Sequence, residues 1–470
     1  MKMRYMSILY SASILVLLAA CAGTKKDEVV SLDTAPVDAA PIASKGADSS
    51  TIKFIAFGDG GYNPSYPKTK HLKNALTKEQ FIEGERKDWL EEGRSEAEFS
   101  HSPLVLFPGT NIATEASGAH PVGTAMAAYC KTDECEFAIQ LGDNIYPNGA
   151  DDSDGRDDQQ RMNDLILDPI KPLLAEEPEL IVYSALGNHD WKSSRKGVAL
   201  QLDWMETQPR LTLPKPGYYN YTIGEAGNDI EFFVLDTNLL LTGQTIYEVP
   251  LLKDGSEQPD QAAIDAGTAE LEEVEPHEVP LNGEDIKQLE WLKDGLKNST
   301  AKWKLVYGHH ILWSVGGSKY DEGHVLRRLI MPTLCKYSDG YIAGHEHDLE
   351  LMTDTCEKYF GKGNVNKLPL IITGAASKMR GHHSGLVRYQ EKAYPQFDLL
   401  WNKSFVWGFA HITVDNKADS LAVKFFTTPN DRSGELVPEA EFSFPRRSHQ
   451  SVKLDIIDYN VDEKNVDALK

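Results

Sequence analysis

Five β-rich runs in this sequence each end in a glycine that is followed at once by an aspartate, an asparagine or a histidine. The side chains near these glycines that could bind metal are Asp59, Asp143, Tyr146, Asn188, His309, His345 and His347. Ligands of open α/β folds gather outside the carboxyl ends of the strands, where glycine lets the backbone turn sharply. We therefore predict that these side chains meet in one crevice and hold metal.

The donor types indicate which metals would bind. Oxygens of aspartate and amide groups, together with imidazole nitrogens, suit iron, zinc or manganese, and the absence of thiolate argues against a structural zinc site. Residues i and i+2 of an extended backbone share a face, so His345 and His347 can reach one metal centre. A phenolate favours a trivalent ion such as ferric iron. Tyr146 therefore predicts one ferric and one divalent ion, the latter iron, zinc or manganese.

The elements that must position these residues follow the pattern of an α/β fold. From Ile52 onward, short β-rich runs alternate with helical patterns, which favours layers of strands and helices over a bundle or an all-β sandwich. Apolar residues at three- and four-residue spacing predict a helix after a capping residue at Asn282. These apolar residues are Ile286, Leu289, Leu292 and Leu296. Residues 62–118 and 241–283 are interpreted as insertions made of solvated loops or short helices.

Composition limits the partners of the chain. Its 470 residues carry a formal net charge of −23, which would repel nucleic acid and anionic lipid surfaces. Small anionic substrates remain possible, because bound metal cations reverse the local sign of the charge. We expect no nucleic acid partner.

The N-terminal segment has the pattern of an export signal. Lys2 and Arg4 precede an apolar run at 8–18 that is too short to span a bilayer but suits a signal-peptide core. The run ends in Leu-Ala-Ala-Cys21, which resembles the lipobox of bacterial lipoproteins. We expect a lipoprotein signal peptide at 1–20, a lipid anchor at Cys21 and a flexible tether at 21–50. This predicts a lipid-anchored protein of the bacterial cell envelope, either periplasmic or on the outer surface; an ordinary secretory signal is the alternative.

Four further cysteines would meet oxidising conditions after export. They allow three connectivities. Local spacing favours Cys130 with Cys135 and Cys335 with Cys356, and free buried thiols are the alternative.

The ordered motifs Gly-Asp, Gly-Asp-Asn-x-Tyr, Gly-Asn-His-Asp, Gly-His and Gly-His-x-His resemble those of the calcineurin-like metallophosphoesterases. Tyr146 indicates their purple acid phosphatase branch, and the small tartrate-resistant type is the most similar. The resemblance covers residues 51–431 as one catalytic domain, followed by a C-terminal extension at 432–470. It implies a layered sandwich of two mixed β-sheets flanked by helices.

The resemblance also implies a role for each site residue. Three residues would hold the ferric ion, and these are Asp59, Tyr146 and His347. Three others would hold the divalent ion, and these are Asn188, His309 and His345. Asp143 would bridge the two ions. His189 would contact the substrate and assist the leaving group, and His324 lies where the small family members place a second histidine that faces the substrate.

The reaction implied is hydrolysis of a small phosphorylated substrate, a phosphate monoester, by a metal-bound hydroxide, as in an acid phosphatase. We expect an acidic optimum, because ferric iron generates hydroxide at low pH while the acid histidine must be protonated. A phosphodiesterase or nucleotidase with the same centre is one alternative. A non-catalytic surface-binding protein with the same fold is another.

Three positions depart from the family pattern. Gly60 replaces a usual tryptophan, His310 stands where an aromatic residue is common, and Ile311 replaces a common proline. We expect Gly60 to change the packing beside Asp59, and His310 and Ile311 to alter the rim of the substrate site. All three changes should leave the ligands in place. Asp236 also ends a strand-like run, but it lacks the preceding glycine and is interpreted as structural.

Overall fold

The structure of the protein, a computed structural model, describes residues 50–66, 75–150, 158–242, 245–247, 271–273, 283–317, 319–360 and 367–448. The predicted signal peptide and nearly all of the predicted tether lie outside these residues, as does most of the insertion at 241–283. Among the helices that the structure describes, none has the length and apolar character needed to cross a membrane.

Strands supply the frame of the fold. In chain order they are β1 (Thr51–Phe57), β2 (Leu104–Leu106), β3 (Ala113–Glu115), β4 (Phe137–Gln140), β5 (Ile181–Ser184), β6 (Leu211–Thr212), β7 (Tyr219–Ile223), β8 (Ile230–Val234), β9 (Thr245–Tyr247), β10 (Leu271–Glu273), β11 (Trp303–Tyr307), β12 (Gly340–Ala343), β13 (Leu349–Asp354), β14 (Leu368–Thr373), β15 (Phe397–Lys403), β16 (Trp407–Asp415), β17 (Ser420–Thr428) and β18 (Val437–Pro445). Two sheets contain seven strands each, and two small sheets pair β9 with β10 and β2 with β3.

The helices connect these strands. They are α1 (Lys78–Glu91), α2 (Ala119–Cys130), α3 (Asp158–Met162), α4 (Lys171–Glu176), α5 (Asn188–Trp191), α6 (Arg195–Glu206), α7 (Thr237–Leu241), α8 (Gly283–Asn298), α9 (Tyr320–Tyr337), α10 (Glu357–Phe360) and α11 (Ser384–Ala393). Short 3-10 segments occur at Glu96–Glu98 and Asp168–Ile170, and a π-helical turn occurs at Asn163–Leu167.

Both large sheets are mixed. The first has the order β18-β17-β16-β1-β4-β5-β6, with β1, β4, β5 and β6 parallel and β16 to β18 antiparallel. The second has the order β15-β13-β14-β12-β11-β8-β7, with β8, β11, β12 and β14 parallel. The predicted fold class, an α/β sandwich of two mixed sheets flanked by helices, is confirmed.

Aromatic side chains join the two sheets in the core. Phe54 of β1 stacks on Phe137 of β4, with ring centroids 4.8 Å apart, and both rings meet the edge of Phe232 from β8. Tyr183 of β5 stacks on Tyr221 of β7 at 3.9 Å. Because edge-to-face and offset contacts add to the burial of apolar area, these rings fix how one sheet lies on the other. The carboxyl ends of the parallel strands are thereby brought to a common side.

The insertion at 62–118 is more ordered than the predicted loops and short helices. Helix α1 spans 14 residues and begins after Thr77, whose side chain accepts a hydrogen bond from the Gln80 amide in a capping box. Phe81 and Trp89 are its buried residues. The strands β2 and β3 add a small antiparallel pair. A helix with two large buried side chains packs on the domain rather than projecting into solvent.

Several other predictions have clear outcomes. Helix α8 covers the predicted helical run, although Asn282 lies outside the described residues. Disulfides join Cys130 with Cys135 and Cys335 with Cys356, so the predicted pairing is confirmed and free thiols are excluded. Strand β18, which lies within the predicted extension at 432–470, pairs along β17. The sheet therefore continues past residue 431.

Candidate metal centre

The phenolic oxygen of Tyr146 lies at the middle of one group of predicted ligands. It is 2.6 Å from Oδ2 of Asp143, 3.0 Å from Oδ1 of Asp59 and 3.1 Å from Nε2 of His347. Nε2 of His347 is also 3.3 Å from Oδ1 of Asp59. Atoms that bind one metal ion at about 2 Å are separated by such distances. The ferric-site residues predicted from the sequence therefore converge with Asp143.

The second group lies on the other side of Asp143. Nε2 of His309 is 2.8 Å from Nδ1 of His345 and 3.4 Å from Oδ1 of Asp143. The two carboxylate oxygens of Asp143 therefore face different groups, since Oδ2 faces Tyr146 and Oδ1 faces His309. This is the arrangement that a bridging ligand requires.

Backbone contacts of its two neighbours, Gly187 and His189, place Asn188 next to Asp143. The amide of His189 donates to Oδ1 of Asp143 at 2.8 Å, and a Cβ on Gly187 would lie 2.3 Å from the same oxygen. The segment can approach this closely only because residue 187 is glycine. Asn188 is buried at the start of α5. Its role as a ligand stays a prediction.

Three of the predicted ligands have backbone conformations that side chains rarely adopt. The φ angles of Asp59, Asp143 and His345 are 58°, 53° and 69°. Each residue follows a strand end, where a left-handed conformation lets the chain turn sharply. Such conformations cost about 1–3 kcal/mol and are concentrated at functional sites. Gly142, at φ 85°, completes the turn before Asp143, where a Cβ would lie 2.9 Å from Nδ1 of His309.

Comparisons with known proteins agree with this geometry. A family model described as calcineurin-like phosphoesterase matches residues 117–349. Residues 117–349 therefore form a calcineurin-like phosphoesterase domain. The chain is 26% identical over 299 residues to tartrate-resistant acid phosphatase type 5 of Sus scrofa. The aligned region covers 63% of this chain and 74% of that protein.

Two further proteins are similar to this phosphoesterase. Purple acid phosphatase 17 of Arabidopsis thaliana is 25% identical over 52% of this chain and 60% of its own length. The solved structure of purple acid phosphatase PPD1 from yellow lupin, Lupinus luteus, is 14% identical over 85% of this chain and 55% of that chain, with a TM-score of 0.46. The sequence relatives make this protein a purple acid phosphatase-like phosphoesterase.

Burial and proximity set the charges of the two carboxyl groups. Burial raises the pKa of Asp59 well above its ordinary value, and the neighbouring Asp143 raises it further. Burial alone would also raise the pKa of Asp143, but His309, His189 and Lys192 hold that pKa below its ordinary value. Two carboxylates and a phenol crowded in a water-excluded place favour a cation between them.

The imidazoles are suited to metal binding because they are neutral. Burial lowers the pKa of His309 to about 4. Burial also lowers the pKa values of His345 and His347 well below the ordinary range. The positive charge of Lys319 lowers the pKa of His345 further, and that of Arg380 lowers the pKa of His347 further. Metal binds the deprotonated ring. The donors of this phosphoesterase therefore fit two cations in both charge and geometry.

Two acidic residues with no predicted role support the predicted ligands. Asp190 accepts hydrogen bonds from the amides of Gly187 and Ile145, at 2.8 and 3.1 Å, and so ties together the loops that carry Asn188 and Asp143. Glu322 of α9 contacts Nε2 of His345. Asp190 ends the Gly-Asn-His-Asp motif, which could have indicated its role. No pattern in the sequence marks Glu322.

The two predicted substrate-facing histidines differ in position. The ring of His189 lies 4.1 Å from that of Tyr146, and its Nδ1 donates to the carbonyl of Pro147 at 2.5 Å, so His189 stands beside the centre. His324 contacts Arg327 instead, with Nδ1 3.5 Å from the guanidinium. Residues two apart on a helix face nearly opposite ways, and Glu322 is the residue of α9 that faces His345. Contact of His324 with substrate stays a prediction that its position does not support.

The departures at His310 and Ile311 do not shape the rim, contrary to expectation. Both residues are fully buried. Thr237 binds Nδ1 of His310 at 2.8 Å, and the ring of His310 lies 4.4 Å from that of His345. His310 thus packs against the ring of the predicted ligand His345. Asp236 is structural as interpreted, since it accepts from the Trp191 indole and caps α7.

The rim of this phosphoesterase is formed by the insertion. A cleft of about 330 Å³ opens between the metal-centre residues Tyr146 and His347 and helix α1. The insertion supplies much of its wall, including Glu85, Asp88 and Trp89. The insertion after Gly61 therefore lies over the approach to the predicted ligands.

Proposed function

We propose that this phosphoesterase hydrolyses phosphate monoesters at a centre of one ferric and one divalent ion. Asp59, Tyr146 and His347 would hold the ferric ion, and Asn188, His309 and His345 the divalent ion, with Asp143 between them. When bound, the two ions supply the positive charge that neutralises phosphate oxygens and acidifies the attacking water. The divided orientation of the Asp143 oxygens is the single observation that supports the proposal most strongly.

Residues of the chain itself would complete the reaction. His189 holds a proton near the ester oxygen that leaves, and its bond to the Pro147 carbonyl fixes the ring. Arg380 and Lys378 line the cleft beside His347, and they pair with Glu346 and Glu115. Since His189 must carry the proton, we expect an acidic optimum.

Hydrolysis of paired substrates tests the proposal. The purified mature protein, loaded with iron and a divalent ion, should hydrolyse an aryl phosphate monoester much faster than the bis-aryl ester of the same alcohol. Asp143→Asn should lose at least about a hundredfold in rate, as expected for loss of a charge-stabilising group. Asp398→Asn, at a half-exposed ion pair with Lys367, is the matched control and should keep full activity.

Three other results would point elsewhere. Faster hydrolysis of the bis-ester would favour the phosphodiesterase alternative. A protein that holds two metal ions and hydrolyses neither ester would favour a surface-binding role. A rate that stays flat from acid to alkaline pH would contradict the acid phosphatase assignment.

We also propose export and lipid anchoring through Cys21 to the bacterial cell envelope. The two disulfides support this proposal, because such bonds persist in oxidising compartments. Cells that express the full chain should incorporate labelled fatty acid into the protein and release it in soluble form when Cys21→Ser is introduced. Unchanged membrane retention of that variant would contradict the anchor.

A further inference from the structure

Three buried histidines lie together in the half of the centre that we assign to the divalent ion. The ring centroids of His309 and His345 are 4.6 Å apart, and the ring of His310 lies 4.9 Å from the first and 4.4 Å from the second. One ring nitrogen of each residue lies within 4.8 Å of those of the other two. Zinc binds imidazole nitrogen at about 2.0–2.1 Å, so nitrogens on opposite sides of one ion are about 4 Å apart. The three rings therefore form a cluster of the size of one metal site.

The two predicted ligands of this cluster each have one ring nitrogen held by a partner. Nδ1 of His309 donates to the Leu141 carbonyl at 2.8 Å, and Nε2 of His345 contacts Glu322. Histidines that bind metal through one ring nitrogen typically use the other in this way, which fixes the tautomer and the direction of the ring. The remaining nitrogens, Nε2 of His309 and Nδ1 of His345, are 2.8 Å apart.

His310 has the same arrangement, although its role as a ligand is not part of the family pattern. Oγ1 of Thr237 accepts from the backbone amide of His310 at 3.0 Å and lies 2.8 Å from Nδ1 of its ring. A hydroxyl oxygen has two lone pairs, so it can accept from both groups. When Nδ1 carries the proton, Nε2 is the ring nitrogen that binds metal. The Tyr341 hydroxyl donates to the His310 carbonyl at 2.7 Å and fixes the backbone as well.

We infer that His310 is a third imidazole ligand of the divalent ion and that this half of the centre selects zinc over manganese. The inference rests on the proposed function only for the presence of two ions. Imidazole nitrogen suits zinc, whereas manganese favours carboxylate, carbonyl and water oxygens. The three histidines would supply three nitrogens beside the oxygens of Asn188 and Asp143. An aromatic residue at position 310, as is common in the family, would leave two nitrogens.

X-ray absorption at the zinc edge counts these ligands in the wild-type protein. The mature protein, loaded with one equivalent of iron and then one of zinc, should show three imidazoles bound to zinc. Two imidazoles in the wild type would overturn the inference. His310→Phe keeps an aromatic ring of similar size and should show two imidazoles.

Competition between zinc and manganese measures the selection. His310→Phe should lower the affinity for zinc at least about tenfold and that for manganese much less, because the lost ligand is a nitrogen. Thr237→Val should also weaken zinc binding, and Thr237→Ser, which keeps the hydroxyl, should not. His411→Phe is the matched control, since this buried histidine contacts Tyr129 and the Glu134 carbonyl instead. An unchanged ratio of zinc to manganese affinity in His310→Phe would overturn the inference.

These measurements do not depend on hydrolysis, so the two proposals can fail separately. If zinc has three imidazole ligands and no ester is hydrolysed, the inference holds and the monoesterase proposal fails. If the protein hydrolyses an aryl phosphate and zinc has two imidazole ligands, the monoesterase proposal holds and the inference fails. A protein that binds neither iron nor zinc would overturn both.

Discussion

The Glu322 carboxylate contacts Nε2 of the His345 imidazole, while Nδ1 of the same ring lies 2.8 Å from Nε2 of His309. The side of the ring that faces the predicted divalent ion is thus Nδ1, and a carboxylate from α9 fixes the other side. Carboxylates in this position orient histidine ligands and increase their basicity. Glu322 is therefore a positioning residue for the second ion.

Replacement of Glu322 should weaken one metal site and spare the other. We expect Glu322→Ala to lower the affinity for the divalent ion by about 10- to 100-fold, because the ring of His345 loses its orienting partner. Glu322→Gln should have a smaller effect, since an amide oxygen still accepts from the ring. Competition titration with a chelator, followed by metal analysis, measures the loss. Glu290→Ala, at an exposed position of α8, is the control; loss of both ions at once would contradict a local role.

Removal of the Tyr146 hydroxyl should abolish the visible colour of the iron-loaded protein. A phenolate bound to ferric iron absorbs visible light by charge transfer, and Tyr146 is the phenol that contacts Asp59, Asp143 and His347. We expect Tyr146→Phe to retain the fold and lose the visible band. Tyr62→Phe is matched, because Tyr62 lies 6.2 Å away by ring centroids and bonds Thr114 instead. Full colour in Tyr146→Phe would remove the phenol from the iron site.

The sequence allowed prediction of the strands and of the side chains that meet at their ends, because each short motif combines a β-rich run, a turn and a side chain. It did not reveal the contact of Glu322 with His345, which depends on how α9 packs against the rest of the fold, including α7 and α8. The family resemblance indicated His324, two residues away, and gave no signal for Glu322. Local patterns do not encode which face of a helix meets a distant loop.

The insertion was also beyond sequence reasoning. Helix α1 is anchored by Phe81 and Trp89, which are eight residues apart among charged neighbours. So few apolar positions do not define a clear periodic stripe. The wall that Trp89 forms beside His347 emerges only when the helix is packed against Phe405 and Gly381.

Stability should fall with acid because of His411, which lies far from the predicted ligands in sequence. His411 is 1% exposed, packs on Tyr129 with ring centroids 4.7 Å apart, and has a pKa lowered by burial to about 4. The unfolded chain binds a proton near pH 6.5, which the folded protein does not bind until about pH 4. The stabilising contribution of neutral His411 is therefore complete above pH 6.5. It is lost as the pH falls from 6.5 to about 4, which lowers the free energy of unfolding by up to roughly 3 kcal/mol.

Denaturant titrations at several pH values measure this effect. The free energy of unfolding of the wild type should decrease more steeply between pH 7 and 4.5 than that of His411→Gln. His101→Gln, at an exposed position, should keep the wild-type slope. Equal slopes in His411→Gln and the wild type would show that His411 does not control the acid dependence.

The two disulfides should contribute unequally to stability. Cys335–Cys356 spans 21 residues and Cys130–Cys135 spans 5, and a cross-link removes more freedom from the unfolded chain when its loop is longer. We expect loss of roughly 3 kcal/mol in free energy of unfolding for Cys335→Ala with Cys356→Ala, and roughly 2 kcal/mol for Cys130→Ala with Cys135→Ala. All four side chains are buried, so cavity effects are similar and each pair is the control for the other. Urea unfolding of both double variants decides, and a larger loss for the short loop would show that packing around α2 outweighs chain entropy.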